Sequence, residues 1–137
     1  MKRIPDVNLE PPVNFLGLEA SLSSFESSPL VILPLPLEQT TSYRAGTKDG
    51  PAAIIAASRY VEIQDEDHGD SPAEAGIHTL PALEPRASGP LESLNEIRTA
   101  VRWLLEEDKK VGALGGEHSL TFPVVEAYRE RYPDLSV

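Results

Sequence analysis

The sequence predicts an α/β fold built on a mainly parallel β-sheet. Short apolar runs alternate along the chain with helical stretches in the order β-α-β-α-β-α-β, which is the pattern of domains with parallel sheets. The first run, residues 30–35, is apolar on successive residues, as is typical of a strand covered on both faces. An apolar content of 40% and a charged content of 25% are ordinary for a soluble globular protein.

Four apolar runs are the predicted strands. Residues 29–36 form the first, and Pro34 is expected to mark its end because proline is poorly tolerated within a central strand. GIHTLPAL at residues 76–83 holds the second strand, interrupted at Pro81, and residues 111–115 form the third. Residues 134–137 look like the start of a fourth. A complete domain rarely stops there, so we expect the chain to be the N-terminal part of a longer protein.

Two helices are predicted from their end signals. Gly50 as the cap and Pro51 at the first helical position begin the helix that follows the first strand. The helix after the third strand begins between residues 119 and 121, with Ser119 as its N-cap. It ends before Pro133, because the residue that precedes a proline disfavours helical geometry.

The clearest helix is predicted over residues 90–109. Apolar residues recur there at intervals of three and four and form one stripe, which should pack on the sheet. The stripe consists of Leu91, Leu94, Ile97, Val101, Leu104 and Leu105. Trp103 lies off this stripe, so we expect it on a flank of the helix, partly exposed or in contact with another subunit.

The chain divides into an N-terminal arm, residues 1–28, and residues 29–137, which form the N-terminal part of a single α/β domain. The arm is irregular and rich in proline and serine, and residues 15–18 are expected to attach it to the domain. No continuous apolar segment follows the first three residues, and no apolar run approaches the ~18–20 residues that cross a bilayer. We therefore expect neither a signal peptide nor membrane association.

Charge and cysteine content limit the classes of partner. Twenty-two acidic residues against twelve lysines and arginines give a net charge of −10, which argues against a nucleic-acid partner and is compatible with a cationic substrate. The absence of cysteine excludes disulfides, thiolate metal sites and cysteine nucleophiles. A cytoplasmic protein is the simplest interpretation.

The stretch VGALGGEHSL, residues 111–120, is the main candidate site. An apolar strand, a glycine pair and an acid beside a histidine predict a site at the carboxyl end of a buried strand, where open α/β sheets place their chemistry. Gly115 and Gly116 would let the backbone turn sharply and approach a ligand. His118 can bind a metal through one ring nitrogen while an acceptor holds the other. Spacing alone leaves open a plain strand-to-helix turn with an exposed histidine.

Other polar groups are better explained without a function. The acidic run at residues 65–70 lacks the glycine and glutamate positions of an EF-hand and is expected to be a solvated loop. GTKDG at residues 46–50 lacks the Gly-Lys-Ser/Thr ending of a phosphate loop. His78 lies within an apolar strand and should be a packed side chain. Ser119 has no G-x-S-x-G elbow around it, which argues against a nucleophile.

Two motifs resemble those of the ureohydrolases, the arginase–agmatinase family. GGEHS at residues 115–119 is similar to the family's Gly-Gly-Asp-His-Ser motif. TSYRAGTKDGPAAI at residues 41–54 is similar to its first loop–helix segment, and more to the agmatinase branch than to the arginases. The resemblance extends from about residue 15 to residue 137. It implies a three-layer α/β/α fold of the arginase/deacetylase kind, with helices on both faces of the sheet, incomplete here.

The resemblance also implies a chemistry. Family members hydrolyse a guanidino group to urea and an amine with two Mn²⁺ ions, and agmatine, giving putrescine and urea, is the expected substrate. Carboxylates with a few histidines suit Mn²⁺. The resemblance gives His118 the role of one metal ligand. The other ligands belong to D-x-H-x-D and D-x-D segments absent from these 137 residues. A homo-oligomer, a trimer or a hexamer, is expected.

Two residues depart from the family pattern, and several alternatives stay open. Glu117 replaces the commoner aspartate, and Ile55 stands where many relatives carry arginine. By resemblance, residues 38–50 lie near the mouth of the metal site, with Tyr43 and Arg44 shaping the entrance or a subunit contact; a packed surface loop is the alternative. Arginase, guanidinobutyrase and formimidoylglutamase activities remain open, as does a non-catalytic α/β module kept for assembly or regulation.

Overall fold

The protein, seen here as a computed structural model that describes residues 12–67 and 69–137, contains the predicted parallel sheet. Its strands are β1 (Leu30–Leu35), β2 (Ile77–Thr79) and β3 (Lys110–Gly115). They lie in the order β2-β1-β3, and both pairings are parallel. The first and third strands are therefore direct neighbours in the sheet. The register places Leu35 opposite Gly115, so β1 and β3 end side by side.

Of the two prolines near the strands, Pro34 acts differently from the prediction and Pro81 acts as predicted. Pro34 lies inside β1 instead of ending it. Its carbonyl accepts a hydrogen bond from Leu83 N–H (3.0 Å) on the β2 side, where the regular strand has already ended at Thr79, so the missing N–H of the proline costs no ladder bond. The second strand ends at Thr79, just before the interruption predicted at Pro81, which cannot donate to the ladder.

The helices follow the predicted order, with small differences at their ends. They are α1 (Ala20–Ser23), α2 (Gly50–Ser58), α3 (Pro90–Glu106) and α4 (Thr121–Arg131), and short 3₁₀ turns occupy Phe15–Gly17, Thr47–Asp49, Pro72–Ala75 and His118–Leu120. Gly50 is the first residue of α2 and Asp49 its N-cap, so the predicted cap is wrong by one position. Residues 134–137, predicted to start a strand, form none.

The apolar stripe of α3 forms the centre of the core, except at its first member. Ile97, Val101, Leu104 and Leu105 are buried against the β1 side chains, and Leu94 is partly buried. Leu91, by contrast, is 65% exposed. The first turn of α3 buries Ser93 instead, whose hydroxyl donates to Gln39 Oε1 at 2.8 Å. A polar contact therefore replaces an apolar one at this end of the helix.

The end of α3 explains why the helix stops before Lys109. Asp108 adopts a left-handed conformation with φ of 58°, and Lys109 N–H closes the turn on Leu104 O at 2.9 Å. Trp103, 44% exposed, stacks on Phe25 with 5.3 Å between ring centroids. Its predicted place on a flank of the helix, partly exposed, is confirmed.

Two further contacts join the sheet to its surroundings. Tyr128 of α4 reaches the outer edge of β3, where its hydroxyl accepts a hydrogen bond from Val111 N–H at 2.9 Å. Before β1, Leu18 is buried, and Leu16 N–H donates to Ser58 Oγ at 2.8 Å. Within the described parts of the chain, no helix has the length and apolar character needed to cross a membrane.

Candidate metal centre

His118 lies where the sequence places it, just past the carboxyl end of β3. It opens the 3₁₀ turn His118–Leu120 that leads into α4. Its side chain is exposed, and no residue in the described ranges forms a hydrogen bond with its ring. The imidazole nitrogens are therefore open to an external ligand at the edge where the parallel strands end. That His118 binds a metal stays a prediction.

The chain bends at residues 116–117, directly after β3, as the glycine pair predicted. Neither Gly115 nor Gly116 has a positive φ, so the bend does not depend on left-handed glycine geometry. Crowding also requires glycine at both positions. A Cβ at Gly116 would lie 2.2 Å from the carbonyl oxygen of Leu37, and one at Gly115 would lie 2.5 Å from Leu120 Cδ2. Gly116 thus brings this backbone close to the segment after β1, and the approach to a ligand stays a prediction.

Glu117 is the buried polar residue of this region, at 7% exposure. Its Oε2 accepts hydrogen bonds from the backbone N–H groups of Gln39 and Thr40, both at 2.8 Å. Its Oε1 accepts hydrogen bonds from the Thr40 and Ser119 hydroxyls. Its own N–H donates to Leu37 O at 2.9 Å. The residue beside His118 is therefore held at both its backbone and its carboxylate.

These contacts set the charge of Glu117. Burial acts to raise the pKa of its carboxyl group. The hydrogen bonds donated by Ser119, Thr40 and Gln39 stabilise the charged form, outweigh burial and lower the pKa from the ordinary 4.5 to about 2. Glu117 is therefore a carboxylate at neutral pH, and its negative charge lies one residue from His118.

The lowered pKa of Glu117 predicts how stability depends on pH. Because the folded pKa lies below the unfolded one, the charged carboxylate stabilises the fold fully above about pH 5, and this contribution is lost as the pH falls from 4.5 towards 2. Urea unfolding of wild type and Glu117→Gln between pH 2 and 7 measures it. The gap in unfolding free energy should be largest near neutrality and shrink below pH 4.5. A gap that stays constant across the range would contradict the prediction.

Ser119 is not the helix cap that was predicted. The chain enters α4 through a 3₁₀ turn, so Ser119 lies inside that turn rather than before a helix, and its hydroxyl donates to Glu117. No side chain caps α4. Sequence reasoning also missed Gln39 and Thr40. They lie 78 and 77 residues from Glu117 in the chain, and no local pattern signals a pairing at that distance.

The loop at residues 38–50 is held together by the carboxylate of Glu38. Glu38 accepts a hydrogen bond from Gly46 N–H at 2.8 Å, and the neighbouring backbone of residue 48 donates to the same carboxylate. Tyr43 is 79% exposed, and the Arg44 guanidinium lies 5.3 Å from the centroid of its ring. The start of the loop thus meets the candidate site through residues 39–40. The role of Tyr43 and Arg44 at an entrance stays a prediction.

The other candidates take the ordinary roles expected of them. His78 is packed, with Nδ1 2.8 Å from Ser23 O and its ring edge-on to Phe25. The acidic run has exposed side chains at residues 65–67 and at residues 69–70, as expected of a solvated loop. His68, within the same run, lies outside the described residues.

The residues present fit part of a metal site. His118 offers an exposed imidazole, the commonest metal-binding side chain in proteins, whereas the oxygen donors that Mn²⁺ prefers would have to come from carboxylates. Across residues 12–67 and 69–137, however, no group of three histidine, cysteine, aspartate or glutamate side chains could hold a metal ion. This portion of the chain therefore supplies a single candidate ligand, fewer than a site for two dications requires.

Comparison with known proteins decides the family. The sequence model of the arginase family matches residues 28–137. The chain belongs to the arginase family. Among its members, the N(1)-aminopropylagmatine ureohydrolase of Synechocystis sp. is 37% identical over 121 residues, which cover 85% of this chain and 39% of that protein. The agmatinase of Bacillus subtilis is 32% identical over 123 residues, 86% of this chain and 41% of that protein. The predicted agmatinase-like resemblance is confirmed.

Two solved structures share the fold. The agmatine ureohydrolase of Thermoplasma volcanium superposes with a TM-score of 0.71 at 25% identity, over 85% of this chain and 38% of that one. The Trypanosoma cruzi formiminoglutamase with Mn²⁺ gives a TM-score of 0.73 at 20% identity, over 90% and 42%. The chain thus spans about two fifths of the length of the relatives it matches, and the predicted fold class, incomplete here, is confirmed.

Proposed function

We propose that the protein carrying this chain is a manganese-dependent ureohydrolase that hydrolyses agmatine to putrescine and urea. The observation that carries the proposal is the GGEHS turn. It carries the exposed imidazole of His118 at the carboxyl ends of two parallel strands, and this ring has no hydrogen-bond partner among the described residues. Membership of the arginase family and the names of the relatives support the same chemistry.

In this proposal each residue of the turn has a separate task. His118 supplies one neutral imidazole ligand to a pair of Mn²⁺ ions. When bound, the ions supply a lowered pKa for an attacking water and stabilisation of developing negative charge. Gly116 permits the close approach that sets the turn on the segment after β1. The net charge of −10 is compatible with a small cationic guanidino substrate.

A second substrate has direct support. The Synechocystis relative acts, by its name, on N(1)-aminopropylagmatine, and its identity of 37% exceeds the 32% of the Bacillus agmatinase. Both compounds are agmatine-type cations. They differ in an added aminopropyl group, so side-chain contacts beyond the guanidino group would select between them. Arginase, guanidinobutyrase and formimidoylglutamase activities, and a non-catalytic module, are further outcomes of the same test.

Urea release tests the proposal. A protein as long as its relatives is incubated with Mn²⁺ and one substrate at a time. The substrates are agmatine, N(1)-aminopropylagmatine, arginine, guanidinobutyrate and formimidoylglutamate. For formimidoylglutamate the product measured is formamide instead of urea. We expect urea from an agmatine-type substrate. The 137-residue chain alone should release none, because one neutral imidazole cannot offset the repulsion between two dications. Product from arginine alone would shift the assignment to arginase. A full-length protein without any product would favour the non-catalytic module.

A further inference from the structure

Two segments far apart in the sequence meet at the Glu117 carboxylate. One is the start of the loop after β1, whose Gln39 and Thr40 N–H groups both donate to Oε2. The other is the turn after β3, whose Ser119 hydroxyl donates to Oε1 together with that of Thr40. The four hydrogen bonds occupy both carboxylate oxygens. The side chain is buried, so these contacts are shielded from water.

His118 stands between two residues of this network. On one side Glu117 is held by its carboxylate and by its N–H bond to Leu37 O. On the other side Ser119 is held by its hydroxyl bond to Glu117. Leu120, the next residue, is 7% exposed and belongs to the core. The ring of His118 is free in solvent, but the backbone that carries it is fixed on both sides.

We propose that Glu117 is a positioning residue of the candidate metal centre: by joining residues 39–40 to the turn that carries His118, it fixes the backbone from which the imidazole reaches the metal. The inference rests on the proposed function. Partners that orient a metal ligand change metal affinity by about 10- to 100-fold when they are removed. Glu117 acts on the ligand through the backbone, so a loss near the lower limit is expected.

The shape of the side chain, rather than its charge, should carry this role. In Glu117→Gln the amide oxygen can take the place of Oε2 and accept the two backbone N–H groups. The amide nitrogen can take the place of Oε1 and donate to the Thr40 and Ser119 hydroxyls, because a hydroxyl accepts as well as donates. Glu117→Ala loses all four contacts and leaves two buried N–H groups without their acceptor.

The experiment compares these variants with a matched control in the protein at the length of its relatives. Glu38→Ala is the control: Glu38 also accepts backbone N–H groups in the same loop, from Gly46 and Lys48, but forms no hydrogen bond with the turn at residues 115–120. Hydrogen exchange of the Gln39 and Thr40 amides is measured without metal. The dissociation constant for Mn²⁺ is measured by titration. Glu117→Asp, shorter by one methylene, replaces the alanine variant if that one does not fold.

We expect Glu117→Ala to speed exchange at residues 39 and 40 and to weaken Mn²⁺ binding, each by about tenfold. Glu117→Gln should stay within about threefold of wild type in Mn²⁺ affinity. Its exchange at residues 39 and 40 should lie between those of wild type and Glu117→Ala, because the hydrogen bonds are kept but are no longer made to a charged group. Glu38→Ala should speed exchange at residues 46 and 48 only. Unchanged affinity in Glu117→Ala, or equal losses in the glutamine and alanine variants, would overturn the inference. If wild type itself binds no Mn²⁺, the proposed function fails and the inference fails with it. If wild type binds Mn²⁺ and His118→Ala weakens that binding but Glu117→Ala does not, the inference alone is refuted.

Discussion

Replacing His118 by alanine, in the protein at the length of its relatives, is expected to weaken Mn²⁺ binding by one to several orders of magnitude. The unfolding free energy of the metal-free protein should stay nearly the same. The side chain is exposed and its ring has no hydrogen-bond partner among the described residues, so its loss leaves neither a cavity nor an orphaned group. Elemental analysis and Mn²⁺ titration measure the first effect, and urea unfolding without metal measures the second.

His78→Ala provides the opposite profile as a control. His78 packs against Phe25 and bonds to Ser23 O, so its replacement should lower the unfolding free energy by about 1–2 kcal/mol and leave Mn²⁺ affinity unaltered. If the full-length His118→Ala protein keeps its normal metal content, His118 is not a ligand.

Replacing Gly116 by alanine should destabilise the fold by about 3 kcal/mol, at the upper end of the cost of overpacking. The added Cβ would lie 2.2 Å from the carbonyl oxygen of Leu37, and backbone cannot move aside as a side chain can. Gly115→Ala should cost less, because its obstacle is the end of the Leu120 side chain. Urea unfolding of the two variants at pH 7 measures the difference.

The unfolding free energy of Gly116→Ala should be lower than that of Gly115→Ala. Both replace glycine by alanine in adjacent positions, so they share the change in unfolded-state entropy. A Gly116→Ala protein within about 0.5 kcal/mol of wild type, or less affected than Gly115→Ala, would show that the crowding against Leu37 is not what requires glycine there.

Much of the fold could be predicted because it depends on local pattern. Successive apolar residues gave β1, and intervals of three and four gave the buried face of α3. The exceptions depend on contacts with residues that are distant in the sequence. Pro34 is tolerated within a strand only because its nitrogen faces the side where β2 has ended. Leu91 is exposed, and the buried position in the first turn of α3 belongs to Ser93, which bonds to a distant loop.

The candidate site likewise has a part that the sequence predicted and a part that it did not. The motif located His118, and its place at the end of β3 follows from the strand that precedes it. The surroundings of Glu117 could not be predicted, because its donors Gln39 and Thr40 come from a segment almost eighty residues earlier. The crowding at Gly116 could not be predicted either, since a glycine pair signals a turn and a close approach equally well.

The Tyr128 contact has a consequence for self-association. β3 is the last strand of the described sheet on its side, and a bare strand edge is a template for pairing with another copy of the chain and hence for aggregation. The tyrosine hydroxyl occupies the Val111 N–H, the first outward-facing donor of that edge. Outward-facing groups alternate along a parallel strand, so those of Ala113 and Gly115 follow further along. The Tyr128 hydroxyl therefore blocks strand pairing at the beginning of this edge. The backbone groups that could still pair with another strand are confined to the end of β3, beside His118.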